Sequence, residues 1–152
     1  ERQEMSKSNT FENDLLLLIF NNTDIANIGD AGGLQNSAAA GDLYVALHTA
    51  DPGEAGTAAT SEATYGSYDR VAVARSGAGW TVAGNSATNA ALVQFPECTS
   101  GSETITHVSI TVGGTPTTAD KILYSGALSA SRSVSSGIQP QFAASALTIT
   151  ED

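Results

Sequence analysis

Two histidines are the residues in this chain best suited to binding a metal ion or moving a proton. His48 lies on a predicted strand shortly before Asp51 and Glu54, and His107 lies in the middle of a second predicted strand. A site made of two histidines and a carboxylate requires neighbouring strands with both rings on one face. Histidines on the polar face of a strand are more often surface residues, so we predict no metal site and no cofactor.

Acidic pairs and the single cysteine give no stronger indication of catalysis. The run from Asp51 to Glu54 lacks the alternating ligands of a calcium-binding loop, and its proline and glycine favour a turn. Carboxylate pairs drawn from Glu54, Glu62 and Asp69 are expected in any acidic protein. Cys98 has no predicted base beside it and no second cysteine for a disulfide. Nucleophile-elbow, P-loop and dinucleotide-binding motifs are absent from the sequence, so no enzyme activity is predicted.

The composition and charge of the chain restrict its partners. The 152 residues are 41% hydrophobic, which is sufficient for a core, but only 14% charged. Sixteen acidic residues outnumber six basic ones, for a net charge of −10. Phosphate binding requires clustered lysine and arginine, so we predict no nucleic-acid partner. The apolar run from Leu15 to Phe20 is far shorter than the ~20 residues that span a bilayer, so no membrane partner is predicted.

The N-terminal region is predicted to contain one helix. Residues 1–9 form a polar tail, and Asn9 with Glu12 resembles a capping box. The helix is expected to end near Phe20 or Asn22, where polar residues interrupt the apolar pattern.

A short second helical turn is predicted to follow, so that the helical segment covers residues 10–28. The glycine-rich residues 29–41 are predicted to form a flexible loop. Loops of this length in a compact domain often have a function, and in an assembling protein this one would be an arm or a contact loop.

The predicted helix has large apolar residues on every side. Such a helix is buried on more than one side, whereas one sheet covers only part of its circumference. The remainder is covered either by the chain's own domain or by a neighbouring subunit. We therefore predict self-association, with a homotrimer as the expected form, through an assembly contact made by Leu15, Leu16, Leu17, Leu18, Ile19 and Phe20.

Residues 42–152 have the periodicity of β-strands. In the segment 43–49 apolar side chains alternate with the period of two that strands require. About eight to ten short strands separated by turn signals predict an antiparallel β-sandwich, jelly-roll-like or immunoglobulin-like in layout. Trp80 alternates with Val82 and is expected in the core. Residues 10–152 are therefore predicted to be a single domain, mainly β, with an N-terminal α-helix.

Three of these predicted strands lie between residues 121 and 142. Two of them are at Lys121–Leu128 and Ser131–Val134. The third is at Ile138–Phe142, where Pro140 favours an edge or a bulge.

Four aromatic residues are candidates for a carbohydrate-binding surface. Tyr65, Tyr68, Trp80 and Tyr124 would bind a carbohydrate if their ring faces were exposed together, as at a receptor-binding tip. The alternative is that they pack in the core and at its rim.

Several segments, in their order along the chain, carry a resemblance to a known family. They are Leu43–Gly56, Arg70–Val73, Trp80, Asn89–Pro96, Ile105–Ile110, Leu123–Leu128 and Phe142–Ile149. With these segments the chain resembles a family of small tailed-bacteriophage virion proteins, often described as tail-fibre-like, over nearly its whole length after Ser6. The resemblance implies a structural role in the virion and brings no catalytic residues with it.

We therefore predict a non-enzymatic bacteriophage virion protein made in the bacterial cytoplasm. The leading interpretation is a capsid decoration or cement protein on the outer head shell, with the major capsid protein as its partner. Small size, acidity and low charge content suit that role. The alternative is a tail-fibre or tail-tip component that recognises the host surface.

Overall fold

A computed structural model describes residues 3–152 and shows a mainly β protein. One helix, α1 (Asn9–Asn21), precedes nine strands in the described residues. The strands are β1 (Asp42–His48), β2 (Val71–Ala74), β3 (Trp80–Ala83), β4 (Ser86–Asn89), β5 (Val93–Gln94), β6 (Ser102–Thr111), β7 (Ile122–Ser135), β8 (Gln141–Phe142) and β9 (Thr148–Thr150). Their antiparallel sheets and the N-terminal helix confirm the predicted mainly β fold class.

The chain divides into two compact units, each assembled from separate stretches of sequence. The first unit comprises the N-terminal region up to Gly41, residues 74–92 and residues 143–152. The second comprises Asp42–Val73 and Val93–Phe142. Each unit has its own sheet and its own buried side chains.

In the first unit, α1 packs against a three-stranded sheet of order β3–β4–β9. Leu16 and Phe20 are completely buried, and the Phe20 ring meets the Trp80 ring edge-to-face with 4.8 Å between centroids. Glu12 is buried in the same stripe, because residues four apart lie on one side of a helix. The predicted core position of Trp80 is confirmed.

The helix begins one residue earlier than predicted. Ser8 is the N-cap, because its backbone is extended and its Oγ accepts a hydrogen bond from the Phe11 amide at 3.3 Å. Asn9, the predicted cap, is instead the first helical residue. Asn22 ends the helix in the left-handed conformation. Within residues 3–152, no helix combines the length and apolar character needed to cross a bilayer.

The segment between α1 and β1 contains no second helical turn, so that prediction is wrong. Ile25 instead pairs with Leu34 in an isolated antiparallel bridge, which reverses the chain. At the base of this loop, the side-chain amide of Asn22 donates to the Ser37 carbonyl and accepts from the Ser37 backbone amide, each at 2.9 Å. The loop is therefore closed at its base by hydrogen bonds.

The second unit contains a four-stranded sheet of order β2–β1–β6–β7 and a separate pair, β5–β8. Strand β1 lies in the middle of the larger sheet and is buried from Val45 to His48, on both of its faces. An alternating sequence therefore fails to show which face is covered here. The predicted strand at Ile138–Phe142 is reduced to β8, which starts directly after Pro140, a residue with no amide proton to donate.

Strand β7 replaces two predicted strands. The segments predicted at 121–128 and 131–134 are one extended stretch along β6. Residues 128–131 have no partner in β6, so the predicted break is a bulge inside a single strand.

Candidate functional site

The two histidines lie on neighbouring strands. His48 of β1 is directly opposite His107 of β6. Directly opposite residues of an antiparallel pair place their side chains on the same face. Among the side chains of residues 3–152, however, no group of three or more histidine, cysteine, aspartate or glutamate residues is arranged to hold a metal ion. The two histidines thus lie on neighbouring strands and on one face, as a metal site requires. Among the described residues, however, no third ligand lies with them.

His48 is completely buried, which corrects the prediction of a surface histidine. Its Nδ1 lies 2.9 Å from the Thr60 carbonyl oxygen, and its Nε2 lies 2.8 Å from Ser109 Oγ. Because a carbonyl oxygen only accepts, Nδ1 carries the proton and Nε2 accepts from the Ser109 hydroxyl. Burial lowers the pKa of His48, against the smaller opposing effects of the Thr60 carbonyl and a nearby carboxylate.

Ser109 and His48 have the spacing of a nucleophile and its general base, but not the accessibility. Ser109 is 1% exposed and His48 is 0% exposed, so a substrate cannot reach the hydroxyl. Buried polar groups of a core require hydrogen-bond partners, and this pair supplies them to each other. The arrangement is therefore a structural one.

Arg70 is the centre of a buried polar network in the second unit. Its side chain is 0% exposed. The five N–H donors of its guanidinium reach Glu62 Oε1 and Oε2, Asp120 Oδ2, and the carbonyl oxygens of Gly113 and Thr118, at 2.7–3.0 Å. Burial works against the charged form of Arg70, but the hydrogen bonds to the two carboxylates outweigh it and raise its pKa.

Glu62 completes this network. Besides Arg70, its Oε1 accepts from the Tyr68 hydroxyl at 3.1 Å, and its Oε2 accepts from the Thr117 amide at 2.8 Å. The Tyr68 oxygen in turn accepts from the Leu47 amide at 3.1 Å. Burial is the main reason that the pKa of Tyr68 is raised, with the Glu62 carboxylate adding to it. The guanidinium of Arg70 and both oxygens of Glu62 are therefore fully engaged in hydrogen bonds within the chain.

The network determines the shape of the β6–β7 loop, residues 112–121. Arg70 binds two carbonyl oxygens of this loop, and Glu62 binds the Thr117 amide. Thr117 has a φ of 63°, a left-handed conformation that is unusual for a β-branched residue. The buried ion pair therefore keeps an exposed loop in a conformation that its own sequence disfavours.

The aromatic residues considered for carbohydrate binding are mostly inside the protein. Trp80 is 0% exposed and Tyr65 is 4% exposed, so neither presents a ring face to a ligand. The Tyr65 hydroxyl donates to the Pro96 carbonyl at 3.0 Å, and burial raises the pKa of Tyr65 to about 12. Tyr68 stacks on Phe95 with 6.3 Å between centroids. Tyr65, Tyr68 and Phe95 therefore form a cluster within the second unit, and Trp80 packs against Phe20 within the first.

Cys98 lies outside the strands and is completely buried. Its Sγ donates to the Ser100 carbonyl oxygen at 3.2 Å. A buried thiol of this kind is shielded from reagents and other chains.

The six residues predicted to form the assembly contact divide into two groups. Leu16 and Phe20 are buried within the chain. The half-buried members are Leu15, Leu17, Leu18 and Ile19. Only this second group retains surface for another chain.

Arg75 fixes the C-terminal end of α1 in the first unit. Its Nε donates to the Ile19 carbonyl at 2.7 Å and its Nη2 to the Leu18 carbonyl at 2.5 Å. Its Nη1 reaches Ser37 Oγ at 3.0 Å. A cation at this end of a helix pairs with carbonyl groups that have no partner inside the helix.

The fold and these sites define a mainly β structural protein in which the buried polar side chains bind one another and stabilise the chain. The family described as Podophage GP4 fiber I protein gp80 matches residues 6–150. The chain belongs to this family, and it is therefore a bacteriophage virion structural protein, as predicted. No curated protein matches the chain.

The sequence interpretation missed the network around Arg70. A usable signal was present, because Arg70 immediately precedes the uncharged strand β2 in a chain with few charges. The partners Glu62 and Asp120 are 8 and 50 positions away from it, and no local pattern connects them.

Proposed function

We propose that the chain is a non-enzymatic component of a bacteriophage fibre. The observation that carries the proposal is the family match. The family is described as a podophage fibre protein, and the match covers residues 6–150. The internal use of His48, Arg70 and Cys98 supports a structural role, because each of these side chains is buried and hydrogen-bonded within the chain. A fibre component is defined by where it lies in the virion, so its location there is the decisive measurement.

Immunogold labelling of intact virions, together with the copy number of the chain, tests this proposal. A fibre role predicts label on fibres and about three to a dozen copies, or small multiples of a symmetric oligomer. Label spread evenly over the head, with hundreds of copies per particle, would contradict it.

A capsid decoration role is the second candidate. It is favoured by the net charge of −10 and by the low content of charged residues, which suit an outer surface contacting the major capsid protein. The same labelling and copy-number measurements decide between the two roles, because their expected results do not overlap.

Self-association through α1, with a homotrimer as the expected form, belongs to the same proposal. The half-buried residues of the helix are the ones that would make the contact. Replacing Leu15 and Leu18 with glutamine should lower the oligomer content in sedimentation velocity, while Thr10→Gln, on the exposed first turn, should leave it unchanged. A trimer that persists in the double variant would show that the helix is not the contact.

A further inference from the structure

Strand β7 is an exposed edge of the four-stranded sheet. Within the described part of the chain it is the last strand of the order β2–β1–β6–β7, so one side of its backbone faces no neighbouring strand. Nine of its 14 residues are exposed. An edge of this kind presents a row of N–H and C=O groups that can pair with another strand.

Soluble proteins usually protect long edges with lysine, proline, inward-pointing charges or bulges. Here the protection is partial. Proline is absent from β7, its one charged residue is Arg132, and its irregularities relative to β6 lie at residue 123 and at residues 128–131. Regular register with β6 holds on either side of the bulge, at residues 125–127 and 132–135. The edge therefore keeps two segments that are geometrically suited to strand addition.

The distribution of charge indicates which partner this edge suits. The chain carries −10 overall, yet residues 121–150 contain no aspartate or glutamate and only the cations Lys121 and Arg132. Two copies of an acidic protein repel each other at most surfaces, because their like charges are brought together. At β7 they bring together mainly small side chains, of which only Arg132 is charged, so this repulsion is low there.

We infer that β7 pairs edge-to-edge with β7 of a second copy of this chain, in antiparallel orientation. Identical edges related by a two-fold axis are self-complementary, so the contact closes on itself. The pairing extends the sheet from four strands in one copy to eight across two copies. This inference takes from the proposed function only that copies of the chain are assembled side by side.

A charge placed on the edge tests the pairing. Ala130 lies in the exposed bulge and outside the β6 register, so Ala130→Glu leaves the β6–β7 ladder in place. Across a two-fold axis it brings two carboxylates close together and should weaken self-association by about tenfold or more. The matched control is Ala55→Glu, which adds the same charge at an exposed turn and should self-associate as the unmodified chain does.

Sedimentation equilibrium of the three full-length proteins gives the dissociation constants, and circular dichroism shows whether each is folded. Hydrogen exchange on the unmodified chain is the second measurement. Amides of β7 should become protected as the protein concentration rises, whereas those of the opposite edge strand, β2, should not.

A chain that remains monomeric at high micromolar concentration would overturn the inference, as would equal association of the two glutamate variants. Concentration-dependent protection in β2 in place of β7 would also overturn it. A chain that is monomeric in solution and yet labels the fibres would leave the fibre role standing. A chain that pairs through β7 but is absent from fibres would contradict the fibre role alone.

Discussion

Glu62 is the residue on which the buried network of the second unit depends most. Its two oxygens serve four donors, and its side chain is 2% exposed. Buried ion pairs add little net stability compared with apolar packing, but removing one partner leaves an uncompensated charge. The residue therefore acts by neutralising Arg70, and its loss should be felt throughout the β6–β7 loop.

We expect Glu62→Gln to lower the free energy of unfolding by about 3–5 kcal/mol, because Arg70 keeps its charge while Asp120 alone remains to balance it. Urea denaturation at neutral pH measures the change. The control is Glu54→Gln, at an exposed turn position, which should change stability by no more than about 0.5 kcal/mol. A similar decrease in the free energy of unfolding in both variants would show that the buried ion pair matters no more to stability than an exposed carboxylate.

His48 should make stability depend on pH. Its pKa is lowered in the folded protein, so between that value and the ordinary 6.5 the unfolded chain binds a proton that the folded chain does not. The stabilisation is complete above 6.5 and declines as the pH falls below it, by up to about 1.4 kcal/mol per pH unit. Denaturation curves between pH 7.5 and about 5.5 measure this slope.

Two variants assign the slope to this residue. His48→Gln should be less stable at every pH, with a flatter dependence below 6.5. His107→Gln, at the opposite position of β6, retains His48 and should retain the slope. An unchanged slope in His48→Gln would assign the pH dependence to other groups.

At the scale of elements, α1 is held by contacts from distant parts of the sequence as much as by its own pattern. Phe20 packs on Trp80, and Arg75 binds the carbonyl groups of the last turn. The proposed assembly contact would use the half-buried apolar residues of α1. The contacts of Phe20 and Arg75 therefore determine which side of the helix remains available to another chain.

We expect Arg75→Ala to destabilise the first unit by about 1.5–3 kcal/mol, the range for hydrogen bonds made by a charged group. Helical circular dichroism during thermal unfolding measures the loss. Lys121→Ala removes a cation at an exposed position and is the matched control. If both variants have the same melting temperature, the hydrogen bonds from Arg75 to the last turn of α1 add no stability beyond that of an exposed cation.

At the scale of the whole molecule, the net charge of −10 opposes any association between copies. Salt screens this repulsion, since the Debye length falls from ~30 Å at 0.01 M to ~8 Å at 0.15 M. We therefore expect self-association to strengthen as sodium chloride is added over this range, measured by sedimentation equilibrium. Weaker association in salt would indicate that attractive ion pairs hold the copies together.

The sequence by itself determined the class of the protein. Alternating apolar residues, turn signals and an apolar helix predicted a mainly β fold with an N-terminal α-helix, and segments spread over the chain indicated a phage virion protein. These features are local, because periodicity and turn chemistry act over a few neighbouring residues. The bounds of α1 were predicted to within about one residue for the same reason.

The tertiary structure alone decided which polar residues are buried and with which partners. His48 was placed on a surface by its strand pattern, but β1 lies in the middle of its sheet and is covered on both faces. Arg70 and Asp120 form an ion pair although they are 50 positions apart in the sequence. The merging of two predicted strands into β7 likewise depends on pairing with β6. Such contacts are non-local, and a sequence pattern that spans a few residues carries no information about them.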